Sequence, residues 1–313
     1  MPANATARGY RVAYIKEVTQ GTTPATAPTL LRTTGGGMKV AAQTVESEEV
    51  QLIEVPDVIR TGVEGTGTIN FEYSYGGIHG LLEGLFNSTF NTNVLRVGST
   101  PAFFTIEDQF TDISRFLAGK GCIIEGITIS LAQGQKITGT VTYRAMVPPT
   151  AMANATVFGD TPVAAPTNPI MSPVGSVRLV QEGGSLDLGP AGIGTVGFTI
   201  EMTRAGIPQP QLGSTALSGL DHGTFVCKGT IGLYMPAGAS ALMDKYLADT
   251  ATSLALTIGG ASTLRDAYLF SNVKFTDGGI GEMSRNSAAN LNLSWQALAT
   301  SPNTTAQVTR TPA

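Results

Sequence analysis

The chain has 313 residues, of which 42% are hydrophobic, and a net charge of −4, which is room and apolar content for one large domain or two ordinary ones. Only 13% of its residues are charged, against roughly 25% in a typical soluble protein, so much of the surface is expected to be covered by further copies of the chain. There is no apolar run near the ~20 residues of a spanning helix, no basic stripe for gripping nucleic acid and no apolar stretch in the polar first ten residues that would make a signal peptide; the chain is expected to be cytosolic when made.

Residues 1–9 are rich in Ala and read as a flexible arm. Residues 43–62 hold Glu46, Glu48, Glu49, Glu54 and Asp57 around the apolar Val50, Leu52, Ile53 and Val55. Strand character over residues 45–55 predicts a long hairpin arm, of a length that suits gripping a neighbour. The cluster Glu46, Glu48 and Glu49 reads as an exposed acidic face in preference to a calcium or magnesium site.

Residues 67–86, GTINFEYSYGGIHGLLEGLF, change period partway. Ile69, Phe71 and Tyr73 alternate with Thr68, Asn70 and Glu72 as in a half-buried strand. After a Gly-containing turn, Ile78, Leu81, Leu82, Leu85 and Phe86 occupy one helix face, with His79 placed off that face, towards solvent. Residues 121–145 then predict two strands around a polar turn at Gln133, Gly134 and Gln135. Six prolines between residues 147 and 173 mark a linker or surface strap.

The second half repeats the first. In residues 229–247, GTIGLYMPAGASALMDKYL, Ile231, Leu233 and Met235 alternate as in a strand, at an offset of 162 residues. Ala239, Leu242, Met243, Tyr246 and Leu247 then mark the matching helix face. Residues 267–297 again predict two strands around a Gly-rich connection, with Val273 and Phe275 set against Ile127 and Ile129, and Leu293, Trp295 and Ala297 against Val141, Tyr143 and Ala145. A tandem duplication follows. Domain bounds of 1–150, 151–174 (the Pro-rich linker) and 175–313 are expected, with residues 300–313 a C-terminal arm.

Little here supports catalysis. His222 is placed in a turn beside Asp221, and adjacent residues in a turn do not make a triad. The spacing Gly192, Gly194, Gly197 fits GxGxxG, but the continuation alternates as a strand where a dinucleotide site needs a helix. Cys122 and Cys227 sit in apolar runs without CxxC spacing and read as buried free thiols, ahead of a disulfide or a metal site. No catalytic, cofactor or metal site is expected.

Three segments resemble the tail tube proteins of long-tailed bacteriophages. These are YIKEVTQGTTP at 14–24, a strand running into a Gly-Thr-Thr-Pro turn; the strand and short helix of 63–86; and FLAGKGCIIEGITISLAQGQKITGTVTY at 116–143. The likeness covers most of residues 9–146 and, more weakly, 175–298, and it lies in order and spacing. It implies a mainly β fold of two tandem tail-tube-like antiparallel β-sandwich or barrel domains, each with a short flanking α-helix. It implies stacked rings forming a hollow tube, with inner sheets joined into a barrel around a lumen. Most members with one sandwich form hexameric rings, so a duplicated chain predicts a homotrimer with pseudo-sixfold symmetry. The implied partners are the chain itself and the tape-measure, tail terminator and distal tail proteins, with DNA passing through without specific binding, no membrane and no cofactor. The implied location is the virion, after assembly in the host cytoplasm. Glu46, Glu48, Glu49 and Glu72 are the lumen-facing candidates. Val50, Leu52, Ile53 and Val55 form the candidate assembly arm. A two-domain β-sandwich binding module, such as a decoration or adhesin protein, is the alternative.

Overall fold

Alternating apolar and polar residues become long antiparallel strands throughout the chain. The computed structural model describes all residues except 1–3, 50–52, 173–176, 182–185, 189–191, 261, 282–284, 286, 287 and 302. The first half contains β1 (Tyr10–Glu17), β2 (Thr29–Leu30), β3 (Thr33–Glu46), β4 (Val58–Glu72), helix α1 (His79–Phe86), β5 (Val94–Arg96), β6 (Phe103–Phe110), β7 (Arg115–Ala132) and β8 (Thr138–Ala145). The second contains β9 (Val177–Gln181), β10 (Leu186–Asp187), β11 (Thr195–Gln209), β12 (Gly219–Tyr234), a short 3-10 turn at Ala237–Ala239, helix α2 (Ser240–Leu247), β13 (Thr252–Gly259), β14 (Arg265–Ile280), β15 (Asn290–Ala297) and β16 (Gln307–Thr311).

Strand pairing follows one order twice. In the first half it runs β3-β4-β8-β7-β6-β1-β2, and in the second β11-β12-β15-β14-β13-β9-β10. The ladders agree residue by residue: Gly67 stands opposite Tyr143, and Gly229 opposite Trp295. Each glycine leaves room for the facing ring. A Cβ on Gly67 would lie 2.2 Å from the Tyr143 ring, and one on Gly229 2.7 Å from the Trp295 ring. β-Bulges recur too, between Ile124 and Gly126 in β7 and between Phe275 and Asp277 in β14. This register corrects one expected match: Phe275 is the counterpart of Ile124, and the counterpart of Ile129 is Ile280.

The halves are joined edge to edge. β11 pairs with the free side of β7, Phe198 opposite Leu131 and Ile200 opposite Ile129. β16 pairs with both β14 and β5, so it ties the chain's end back to the first half. One hydrophobic core runs through both halves. Val308 in β16 is fully buried, which corrects the expectation of a flexible C-terminal arm.

Helix α1 packs against β7 and buries Leu81, Leu82, Leu85 and Phe86 completely, with Ile78 just before it. It ends at Asn87, whose left-handed backbone (φ 50°) lets its N–H reach the Glu83 and Gly84 carbonyls. Helix α2 is seated more shallowly. Leu242 is buried and Met243 and Tyr246 pack partly against the core, but Leu247 is 70% exposed. Leu247 lies five residues past Leu242, about 140° round the helix, so it leaves the buried face. That corrects its placement as a core residue.

The proline-rich stretch runs over the surface of the first half. Its bridges pair Val147 with Lys120, Ala153 with Phe116, Val163 with Thr29 and Ile170 with Ser74. Glu107 pins it: the buried carboxylate accepts from Thr156 Oγ1 (2.7 Å) and the Val157 N–H (2.8 Å). Charge-assisted bonds of this kind are the stronger ones.

Candidate assembly surfaces

The central strands have one apolar and one polar face. Ile69 and Phe71 of β4, Val141 and Tyr143 of β8, and Ile200 and Met202 of β11 point into the core. Their alternates Thr68, Asn70, Thr140, Thr142, Thr199 and Glu201 point the other way and are exposed or half-buried. Hydroxyls and amides on this face bond across strands, Thr199 with Thr230 (2.8 Å) and Thr140 with Asn70 (3.0 Å). Several of its charges come in pairs. Glu72 meets Lys136, Glu201 meets Lys228 (3.5 Å), and Arg144 meets both Glu64 and Glu125 (2.7 Å to the latter). Burial raises the Glu125 pKa, opposed by a bond from the Gly206 N–H.

Strands β3 and β4 continue past the body of the sheet as a hairpin, with the Ser47 N–H donating to the Asp57 carbonyl (3.0 Å). This is the predicted arm. Ile53 at 103% relative exposure and Val55 stand free in solvent, as do Val45, Val58 and Ile59. Val50 and Leu52 lie outside the described residues. Glu46 ends β3, and Glu48 and Glu49 follow in the exposed arm. Glu72 sits at the far end of β4, on the polar face, so the four acidic candidates are not brought together. A second hairpin, β11 with β12, exposes Ile207 and Leu212 and returns towards the first half, where the Val63 N–H donates to the Thr215 carbonyl (3.2 Å).

Among the described residues, two of the sheet's one-sided stretches lie at matching places in the two halves. β3 pairs only with β4, and the stretch of β14 beyond Lys274 pairs only with β15. Such edges are templates for another strand.

Each of the two histidines corrects an expectation. His79 is buried, 9% exposed, with Nε2 2.9 Å from Asp266 Oδ1. The Tyr73 hydroxyl donates to the other oxygen of Asp266 (2.8 Å) and lies 2.8 Å from the Tyr268 hydroxyl. Burial, then the Asp266 charge, drives the Tyr73 phenol well above its usual pKa. His222 lies within β12 and not in a turn. The Asn87 amide, oriented to satisfy both neighbours, donates to His222 Nδ1 (3.2 Å) and accepts from Arg204 (2.6 Å). Burial first, then Arg204, lowers the His222 pKa to about 4.

Both cysteines are buried and free. Among the described residues no three His, Cys, Asp or Glu side chains gather as a metal site. The stretch after Gly192 leads into strand β11 with no helix behind it. Sequence reasoning missed the buried acids Glu17, Glu107, Asp108 and Asp266. A signal for two of them was available, since Glu107 and Asp108 interrupt the otherwise apolar and aromatic strand FFTIEDQF.

A β protein with open sheet edges, a projecting apolar arm and polar groups committed to one another is a structural subunit that associates through its own surfaces. The family described as phage tail tube protein matches residues 9–297, and the chain belongs to that family. It is therefore a structural component of a phage virion. No curated protein matches the chain. Among solved structures it is similar to the SPP1 tail tube determined by solid-state NMR and cryo-EM, at 15% identity and a TM-score of 0.31, over 46% of this chain and 81% of that one. The family assignment rests on the sequence match.

Proposed function

We propose that three copies of the chain close head to tail into a ring with pseudo-sixfold symmetry, and that stacked rings form the hollow tail tube through which DNA passes on ejection. The observation that carries this is the strand order written twice and joined edge to edge within one chain. One copy then supplies two ring units, residues 1–150 and 175–313, linked by 151–174. Heterologous contacts that return on themselves close such a ring.

The polar face is the proposed lumen lining, with Glu72 on it and Glu46, Glu48 and Glu49 on the arm at its edge. Its Lys136, Arg144 and Lys228 side chains are already opposite carboxylates. DNA phosphates gain affinity by recruiting free cations, so a lining of hydroxyls, amides and paired charges lets DNA slide. The hairpin arm, with Val50, Leu52, Ile53 and Val55, is proposed to bridge rings. Assembly takes place in the host cytoplasm, with the tape-measure, tail terminator and distal tail proteins as the further partners.

Electron microscopy of the purified chain tests this. End-on class averages with three-fold symmetry and six lobes are expected. Rings of six whole chains would keep the tube and reject the trimer. Discrete particles at every concentration would favour the two-domain binding module.

A further inference from the structure

We propose that β3 of one copy adds as a strand to β14 of the next, in the register that the chain already uses between β11 and β7. The inference rests on the copies associating in rings.

The internal ladders define which residues correspond. Met38 stands opposite Gly67 in the first half, and Ile200 opposite Gly229 in the second. Both strands also carry a bulge at the same place, between Thr33 and Gly35 and between Thr195 and Gly197. So β3 is the counterpart of β11. Likewise Ile127 faces Val141 and Gly278 faces Leu293, each just past the shared bulge, so β14 is the counterpart of β7.

Within the chain, β7 holds β8 on one side and β11 on the other. The equivalent strand β14 holds β15, and among the described residues its second side is open past Lys274. The equivalent of β11, which is β3, has its outer side open. What the first half receives from the second, the second has yet to receive, and only another copy can supply it.

The residues at the two edges fit this use. Met202 and Ile129 are fully buried in the internal junction, whereas their counterparts Val40 and Ile280 are 37% and 48% exposed. Among the described residues, side chains meet the backbone at both edges. Asp108 accepts from the Met38 N–H (2.6 Å), and Asp277 accepts from the Gly278 N–H (2.9 Å). The open backbone of β3 therefore begins at Val40. Transferring the internal register sets Val40 opposite Gly278, Lys39 opposite Gly279 and Ala41 opposite Asp277. Lys39 and Asp277 then become diagonal neighbours of opposite charge on one face, a stabilising arrangement across a β ladder. Asp277 exchanges its exposed contact to Gly278 for a cation.

A disulfide reads the register directly, because facing residues in a ladder fall within bonding range. The test pair is Lys39→Cys with Gly279→Cys, and a Cβ at Gly279 meets nothing within 4 Å. The control is Lys39→Cys with Lys274→Cys, about 17 Å off register along the strand. The native thiols are buried. Mild oxidation of assembled protein is expected to join chains covalently in the first variant and leave the control as single chains. Equal cross-linking of both, or none in rings that have formed, overturns the register while the tube stands. A wild-type chain that never associates removes the premise as well. Should the cysteines themselves stop assembly, charge exchange decides. Lys39→Glu is expected to raise the concentration needed for assembly about fivefold at low salt, and adding Asp277→Lys to restore it. Failure to restore counts against the pairing.

Discussion

His222 sits where burial and the Arg204 guanidinium both oppose a second positive charge, which the Asp221 carboxylate favours more weakly. Its pKa falls from 6.5 to about 4 on folding. Between those values the unfolded chain binds a proton that the folded chain refuses, so this stability is complete above pH 6.5 and is lost as pH falls towards 4. His222→Gln removes that dependence. Its urea midpoint, compared with the parent chain at pH 7 and pH 5, is expected to change less on acidification; an equal change at both pH values would show that His222 does not titrate in this window. Residue-scale features like this were poorly legible beforehand. The helical period of its own segment places His79 in solvent, yet it is buried and hydrogen-bonded to Asp266, 187 residues away. Neither helical period nor composition carries that information.

Elements were more legible. The strand-then-helix segments and the polar turn before β8 arise from local periodicity, and Gly134 (φ 73°) adopts the left-handed backbone that glycine favours at that turn. The helices show the limit. The same five-position pattern marks both, yet α1 is deeply buried and α2 holds one fully buried residue, because depth depends on what lies beneath. The hairpin arm was visible as apolar residues among acids. Replacing residues 47–57 by Asn-Gly, which suits a two-residue hairpin turn, removes no buried side chain among the described residues. Folded subunits that no longer form tubes are expected, with circular dichroism unchanged and electron microscopy showing no tubes. Normal tubes would exclude the arm from assembly.

At the scale of the whole molecule, the repeat does not produce two independent bodies. The β7–β11 ladder, the β16–β5 pairing and the Tyr73–Asp266–His79 network all cross between the halves. The chain is expected to unfold in one transition. Trp295, the only tryptophan, reports on the second half, and far-ultraviolet circular dichroism reports on the whole. Coincident denaturant curves on the arm-deleted, unassembled chain are the expected result. Asp266→Ala is expected to lower stability by about 3 kcal/mol, because it strips buried partners of their acceptor. Separated curves in the arm-deleted chain that keeps Asp266 would show that the halves are energetically independent.

The sequence by itself determined the mainly β character, the position of both helices, the duplicated pattern and the poverty of surface charge. All of these follow from side-chain period and composition over short stretches. Tertiary structure alone decided that residues 126–132 of β7 receive β11, that the C-terminal strand docks beside β5, and that Asp266 joins the halves. It also decided which edges stay open. These are pairings between residues far apart in the chain, and the backbone N–H and C=O groups that make them are the same at almost every position. Side-chain pattern can say that a strand forms; only the packed fold says which strand lies beside it.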